Sequence, residues 1–193
     1  MRLTKLAVVV LLGVIMVSGV ACGGGVNEVL KPTVSYVPSE WELVANYPYS
    51  GNYSGRHPYG WGKLSYTQEY EADGRPVFIA GVSIMYADAS IYIPQEFQGR
   101  ELDIETLIEL ADEEEGNQGF GPDYEGTMII DGELAGYVEN CMPPVEGMDY
   151  EHCVKYIVFV KESTYVVIWV FYGKNNAQDI MDIESMLNSL TFD

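Results

Sequence analysis

The chain holds two histidines and three cysteines in 193 residues, so it is poor in the side chains that usually carry covalent or metal chemistry. His57 and His152 fall in polar loops rather than in a nucleophile motif, and a surface role is expected for both. Neither a Gly-x-Ser-x-Gly elbow nor a Gly-x-x-x-x-Gly-Lys-Ser/Thr phosphate loop is present. Gly119-x-Gly121 runs straight into Pro122 and reads as a turn. The densest charge run, Asp112-Glu113-Glu114-Glu115, closes a helix, where the macrodipole disfavours negative charge. Hard carboxylate oxygens there would suit calcium, but with no EF-hand spacing a solvated acidic face is expected. Asp123 and Glu125 are the carboxylates that could act as acid and base on an envelope polymer, which requires about 5–9 Å between them across a cleft. They stand in a loop segment, so that hydrolase reading is the weaker one. No catalytic residue, metal or cofactor is expected, and the chain reads as non-enzymatic.

The residues with the clearest binding chemistry lie between Tyr47 and Trp61. Tyr47, Tyr49, Tyr53, Tyr59 and Trp61 are interleaved with Ser50, Asn52, Arg56 and His57, in a stretch rich in Gly and Pro. Tyrosine with Ser, Gly and Asn suits adaptable recognition, because the ring offers a large contact area at low entropic cost. A partner-binding loop of Tyr47, Tyr49, Tyr53, Arg56, Tyr59 and Trp61 is therefore expected, against the plainer reading that some of these rings cap the sheet edge. Asn52-Tyr53-Ser54 also fits the N-glycosylation sequon.

The first residues form an export signal. Arg2 and Lys5 precede fifteen apolar residues, Leu6 to Val20, short of the ~20 that span a bilayer. The run ends in Ser18-Gly19-Val20-Ala21-Cys22, which resembles the lipobox of prokaryotic lipoproteins, with Gly19 where Leu is usual. The resemblance implies cleavage before Cys22 and acylation of its thiol with diacylglycerol. An ordinary secretory signal is the alternative. More than one chain on the cysteine would anchor the protein stably, since a single acyl chain binds only marginally. Residues 1–21 thus read as signal peptide, 22–33 as lipidated cysteine and flexible tether, and 34–193 as one domain. The location expected is the extracytoplasmic face of a prokaryotic membrane.

Cys141 and Cys153 remain as an even pair in an oxidising compartment and are expected to form a disulfide. A zinc site adding His152 lacks an evident fourth ligand and a known spacing. The formal charge of −19 comes with scattered basic residues, so no patch exists to neutralise phosphates. Nucleic acid is excluded as a partner, and so is electrostatic attraction to anionic lipid.

The elements that must position these residues centre on Val154 to Tyr172. Two runs dense in Val, Ile, Tyr, Phe and Trp flank the polar Lys161-Glu162-Ser163-Thr164, which predicts a β-hairpin. Neither face of the second run is polar, so this strand should be covered on both sides at the centre of a layered fold. Strands are expected over Val34–Val37, Trp41–Tyr47, Leu64–Glu71 and Val77–Tyr86, with a hairpin at Asp73-Gly74. A second hairpin, Thr127–Ile130 with Glu133–Cys141, turns at Asp131-Gly132. Met142 to His152 is read as the loop leading to the central hairpin. One helix should span Asp103–Glu115, burying Ile104, Leu107, Ile108 and Ala111. Another should run from near Asn175 or Asn176 to about Leu190 over Ile180, Ile183, Leu187 and Leu190. Hairpins far outnumber crossovers, which indicates an α+β fold on a mainly antiparallel sheet.

Pro38-Ser39-Glu40-Trp41, Ile130-Asp131-Gly132-Glu133-Leu134-Ala135-Gly136-Tyr137, the paired late strands and the closing Ile183 to Phe192 resemble the PsbP-like family, including lipoproteins of the DcrB and LpqN kind. The resemblance implies an α-β-α sandwich about a central antiparallel sheet; it does not imply catalysis, because such folds mostly bind or assemble. A membrane-anchored lipoprotein binding an envelope protein or surface component is the function expected. A small-ligand or cation-binding protein using the acidic surface is the alternative.

Overall fold

The computed structural model describes residues 28–49, 60–72, 75–116, 122–143 and 151–193. The signal segment, Cys22, and the loop residues Tyr53, Arg56, His57 and Tyr59 lie outside them. The elements in order are β1 (Pro32–Val34), β2 (Glu42–Tyr47), β3 (Trp61–Ala72), β4 (Arg75–Asp88), α1 (Ala89–Tyr92) and α2 (Ile104–Glu115). There follow β5 (Tyr124–Ile130), β6 (Glu133–Met142), β7 (His152–Lys161), β8 (Thr164–Gly173), α3 (Ala177–Asn188) and β9 (Leu190–Phe192). Seven strands pair antiparallel in the order β2-β3-β4-β8-β7-β6-β5. The largely apolar β8 is the middle strand of the seven.

The turns follow from local chemistry. Asp131 and Gly132 both have positive φ, 51° and 83°, the type I′ geometry that matches strand twist and favours Asp-Gly. The central hairpin turns more tightly than its polar residues suggest, at Glu162-Ser163, and Lys161 and Thr164 close the ladder.

Alternation along β8 sorts the core into two layers. Val166, Ile168 and Val170 join Ile157 and Phe159 of β7 and Val82, Ile84 and Tyr86 of β4 beneath α3. Tyr165 and Val167 join Val158 of β7 and Val138 of β6 beneath α2. The architecture is an α+β sandwich with a helix on each face of the sheet. Asp103 caps α2 by accepting the Thr106 N–H at 2.9 Å, and Gly116 ends it at φ 86°. α2 sits on Gly136, where an added Cβ would lie 2.4 Å from the Leu107 carbonyl carbon. The contact line therefore runs through Thr106, Leu107, Leu110 and Ala111. Ile104, expected inside, is 51% exposed and lines a groove beside β5.

In α3, Ile183 and Leu187 are buried as the periodicity predicts, Ile180 is half-buried, and Asp179, Asp182 and Met186 are buried besides. Leu190 belongs to β9 rather than to the helix. The expected tether is corrected over its last residues. Val29 is buried, the Leu30 N–H donates to Thr164 Oγ1 at 2.8 Å, and Pro32–Val34 pairs antiparallel with Leu190–Phe192. The free edge of β9 captures this segment, so the first strand lies two residues earlier than the Val34–Val37 run predicts.

Candidate binding surface

One row of paired residues crosses all seven strands beneath the α2 layer: Ala45, Ser65, Ser83, Trp169, Tyr156, Val138 and Glu125. The next row reads Tyr47, Lys63, Met85, Val167, Val158, Gly136 and Thr127. α2 covers these rows over β6 and β7, where Val138, Val158 and Gly136 meet it. Toward β4, β3 and β2 the first of these rows is a floor of small side chains, with Ser65 and Ser83 hydrogen-bonded through their hydroxyls at 2.7 Å. Trp169 stands where the cover ends and is 46% exposed, although it lies mid-way along the central strand. Tyr156 stacks on it, with ring centroids 6.3 Å apart and planes 15° from parallel. Tyr47 is 45% exposed at the other side of the floor, beside Lys63. Lys63 makes no ion pair among the described residues.

The expected loop residues divide between the two faces. Tyr47 and Trp61 share the face of Trp169, because both stand two residues or one pairing from Lys63. Tyr49 instead packs against the α3-side core, and its N–H donates to the Tyr86 hydroxyl at 3.2 Å. Tyr86 in turn lies across Gly62, whose missing Cβ leaves room for the ring. The expected surface therefore loses Tyr49 and gains Trp169 and Tyr156. The sequence hint for these was the even spread of aromatics along β7 and β8, which also fits a buried strand.

The acidic run is not a solvated face throughout. Glu114 accepts the buried Tyr165 hydroxyl at 2.9 Å, and burial raises the Glu114 carboxyl above its ordinary value. Glu115 accepts from the Asn140 amide. Asp123 is also engaged locally: its carboxylate accepts the Cys141 N–H at 2.8 Å, and its own N–H donates to Asn140 Oδ1 at 2.9 Å. Glu125 lines the open groove beside α2.

Cys141 and Cys153 face each other across β6 and β7 and form a disulfide, with Cα atoms 4.0 Å apart. Glu139 lies beside them, but both sulfurs are spent on each other and cannot ligate a metal. His152 is corrected from surface loop to buried first residue of β7, its ring 5.3 Å from Phe171. Neighbouring residues in a strand point to opposite faces, so His152 and Cys153 cannot share a zinc ion. Glu139 instead accepts Tyr172 Oη at 2.8 Å and Lys155 Nζ at 2.6 Å, and Lys155 stands over the Tyr137 ring.

No protein-family model matches the chain, and no curated protein matches it. Among solved structures it is similar to a protein of Bacteroides thetaiotaomicron VPI-5482, with a TM-score of 0.45 and 11% identity. That likeness covers 83% of this chain and 47% of the other, so the chain spans about half the length of that protein. It is also similar to LpqN of Mycobacterium tuberculosis, described as involved in cell envelope biogenesis, with a TM-score of 0.44 and 13% identity over 86% of each chain. No helix among the described residues is long and apolar enough to cross a membrane.

Proposed function

We propose that this chain is a non-enzymatic lipoprotein of the cell envelope, held to the extracytoplasmic face of a membrane through Cys22. Its role is to bind an envelope protein or surface component on the face bearing Tyr47, Trp61, Lys63, Tyr156 and Trp169. The observation that carries this reading is the position of Trp169. A large ring in the middle of the central strand, with buried residues before it on the same face, is nearly half exposed and stacked on a second ring. The lipobox-like Val20-Ala21-Cys22 supports the anchor, and the PsbP-like resemblance supports binding or assembly over catalysis. Of the two carboxylates weighed for hydrolysis, Asp123 already accepts the Cys141 N–H, which favours binding over that alternative.

The test is a photo-crosslinking residue placed at Trp169 in intact cells, with the more exposed Met181 on α3 as control. One specific adduct at position 169 and none at 181 is expected. No adduct at 169, or the same adducts at both positions, would overturn the reading. Replacing Cys22 by Ser should release the protein from the membrane fraction.

A further inference from the structure

The sheet has two outer edges, and the chain treats them differently. β2 is blunted by a register break between Leu43 and Ala45. β5 runs against β6 without a break from Tyr124–Glu139 to Ile130–Glu133, and no described strand pairs with its outer side. It contains no proline, lysine or arginine, and Ile129 on it is 62% exposed. Bulges, prolines and lysines are what usually stop an edge from taking another strand, and β5 has none of these. Its one charge, Glu125, is negative and faces the α2 groove, where it disfavours an acidic strand rather than a basic one.

α2 passes over Gly136 on β6 and overhangs this edge, leaving an open groove of about 590 Å³ between helix and strand. Ile104 and Ile108, one turn apart, form its apolar wall, and Asp103, Glu105, Glu109 and Glu125 line it. Arg100 pairs with Glu109 at 2.7 Å, while Glu105 and Glu125 have no ion pair among the described residues. We propose that this groove takes an extended, basic segment of a partner protein, which adds to β5 as an eighth strand.

Main-chain hydrogen bonds to β5 supply the affinity of such an addition, and alternate side chains supply its selectivity. Residues of the added strand that point toward α2 meet the isoleucines and the two unpaired carboxylates, so Lys or Arg alternating with aliphatic residues fits. A second copy of this chain does not fit, because its net charge of −19 would bring like charges together along the groove. The groove lies at the β5 edge, separated from Trp169 by the residues of β6 and β7 that α2 covers, and failure there would leave the Trp169 reading intact.

The test uses the full chain in detergent and a labelled peptide of alternating Lys and Val, followed by fluorescence anisotropy and amide exchange. Saturable binding that weakens with salt is expected, with new amide protection confined to β5. The alternating Glu-Val peptide, and the Lys-Val peptide N-methylated at every second residue, should not bind. Glu105→Gln with Glu125→Gln should weaken binding about three- to tenfold, the range of two partly exposed ion pairs. Ile129→Lys, on an exposed side chain, should weaken it further without unfolding the protein. No saturable binding, equal binding of either control peptide, or affinity unmoved by both sets of substitutions overturns the proposal. So does a dimer of the full chain that Ile129→Lys dissociates, since a second copy would then be the occupant.

Discussion

The Asp131 carboxylate accepts the backbone N–H of Phe192 at 2.8 Å and so ties the β5–β6 turn to the last strand of the chain. The same oxygen receives the Lys161 ammonium from the end of β7. Three segments far apart in sequence meet on one short side chain in the left-handed conformation, which Asp and Asn tolerate better than most residues. Burial acts to raise this carboxyl, but Lys161 and the Phe192 N–H outweigh it and hold it below its ordinary value.

Asp131→Ala should therefore cost about 1.5–3 kcal/mol, the range for hydrogen bonds to a charged group. Asp131→Asn, which keeps the turn, should cost less. A carboxyl held low contributes stability that is present above the ordinary Asp value and is lost as pH falls through its folded value. The stability gap between wild type and Asp131→Asn, followed by urea unfolding, should thus close below about pH 4. A gap that stays constant down to acid pH would show that the charge plays no part.

Glu114 has the opposite sign. Burial raises its carboxyl, the Tyr165 hydroxyl lowers it in part, and Glu113 adds to the rise. Such a group contributes stability that is fully present below the ordinary Glu value and fades as pH rises through its folded value. Glu114→Gln should accordingly gain on wild type between acid and neutral pH, since the amide oxygen still accepts from Tyr165. Tyr165→Phe removes the donor and should destabilise by about 1–3 kcal/mol, most at neutral pH, where the charge is left without its partner. Equal losses for Tyr165→Phe at pH 4 and pH 7 would refute the coupling.

These couplings mark where the sequence could be read and where it could not. Hairpins were legible because their signals are local: Asp131-Gly132 dictates its own turn, and Val, Ile and Tyr on both faces of β8 place it at the centre of the sheet. The helices were legible through Asp103, Asn176 and Gly116, which act on neighbouring backbone groups. The buried side of α2 was legible only in part: Leu107 and Ala111 face inward as expected, but Ile104 gives way to Thr106 and Leu110, because the helix is seated on Gly136 of β6. Trp169 was hidden for a related reason. Its strand is apolar on both faces, but the cover over one face stops at β7, and no residue near Trp169 encodes where a helix from elsewhere ends. Asp123 and Glu114 looked like free carboxylates until the fold brought the Cys141 N–H and the Tyr165 hydroxyl to them.

The disulfide clamps directly opposed residues near the ends of β6 and β7, with a separation of 12 residues. Closing a loop of that size is worth roughly 3 kcal/mol in the chain-entropy account. Cys141→Ser with Cys153→Ser should lower unfolding stability by about that amount. The cost should appear chiefly in the unfolding midpoint, since the ladder on both sides keeps its pairing. If reduction and the double substitution both leave the midpoint in place, the bond is not a stabilising element.

Trp169→Ala separates a recognition role from a packing role. A fully buried tryptophan replaced by alanine loses about 3–5 kcal/mol, because the transfer and cavity terms add. Trp169 is nearly half in solvent and rests on one ring, so its loss should be well under half of that, near 1 kcal/mol. Tyr47→Ala, at an exposed edge position, should change stability by less than about 0.5 kcal/mol. If the face binds a partner, the double variant should lose most of its crosslinking to that partner while keeping its cooperative unfolding transition. Hot spots of this kind are enriched in tryptophan and tyrosine and commonly cost more than about 2 kcal/mol on truncation, about thirtyfold in affinity. The reverse outcome, a large stability loss with partner capture unchanged, would assign both rings to the fold and leave this face without a binding role.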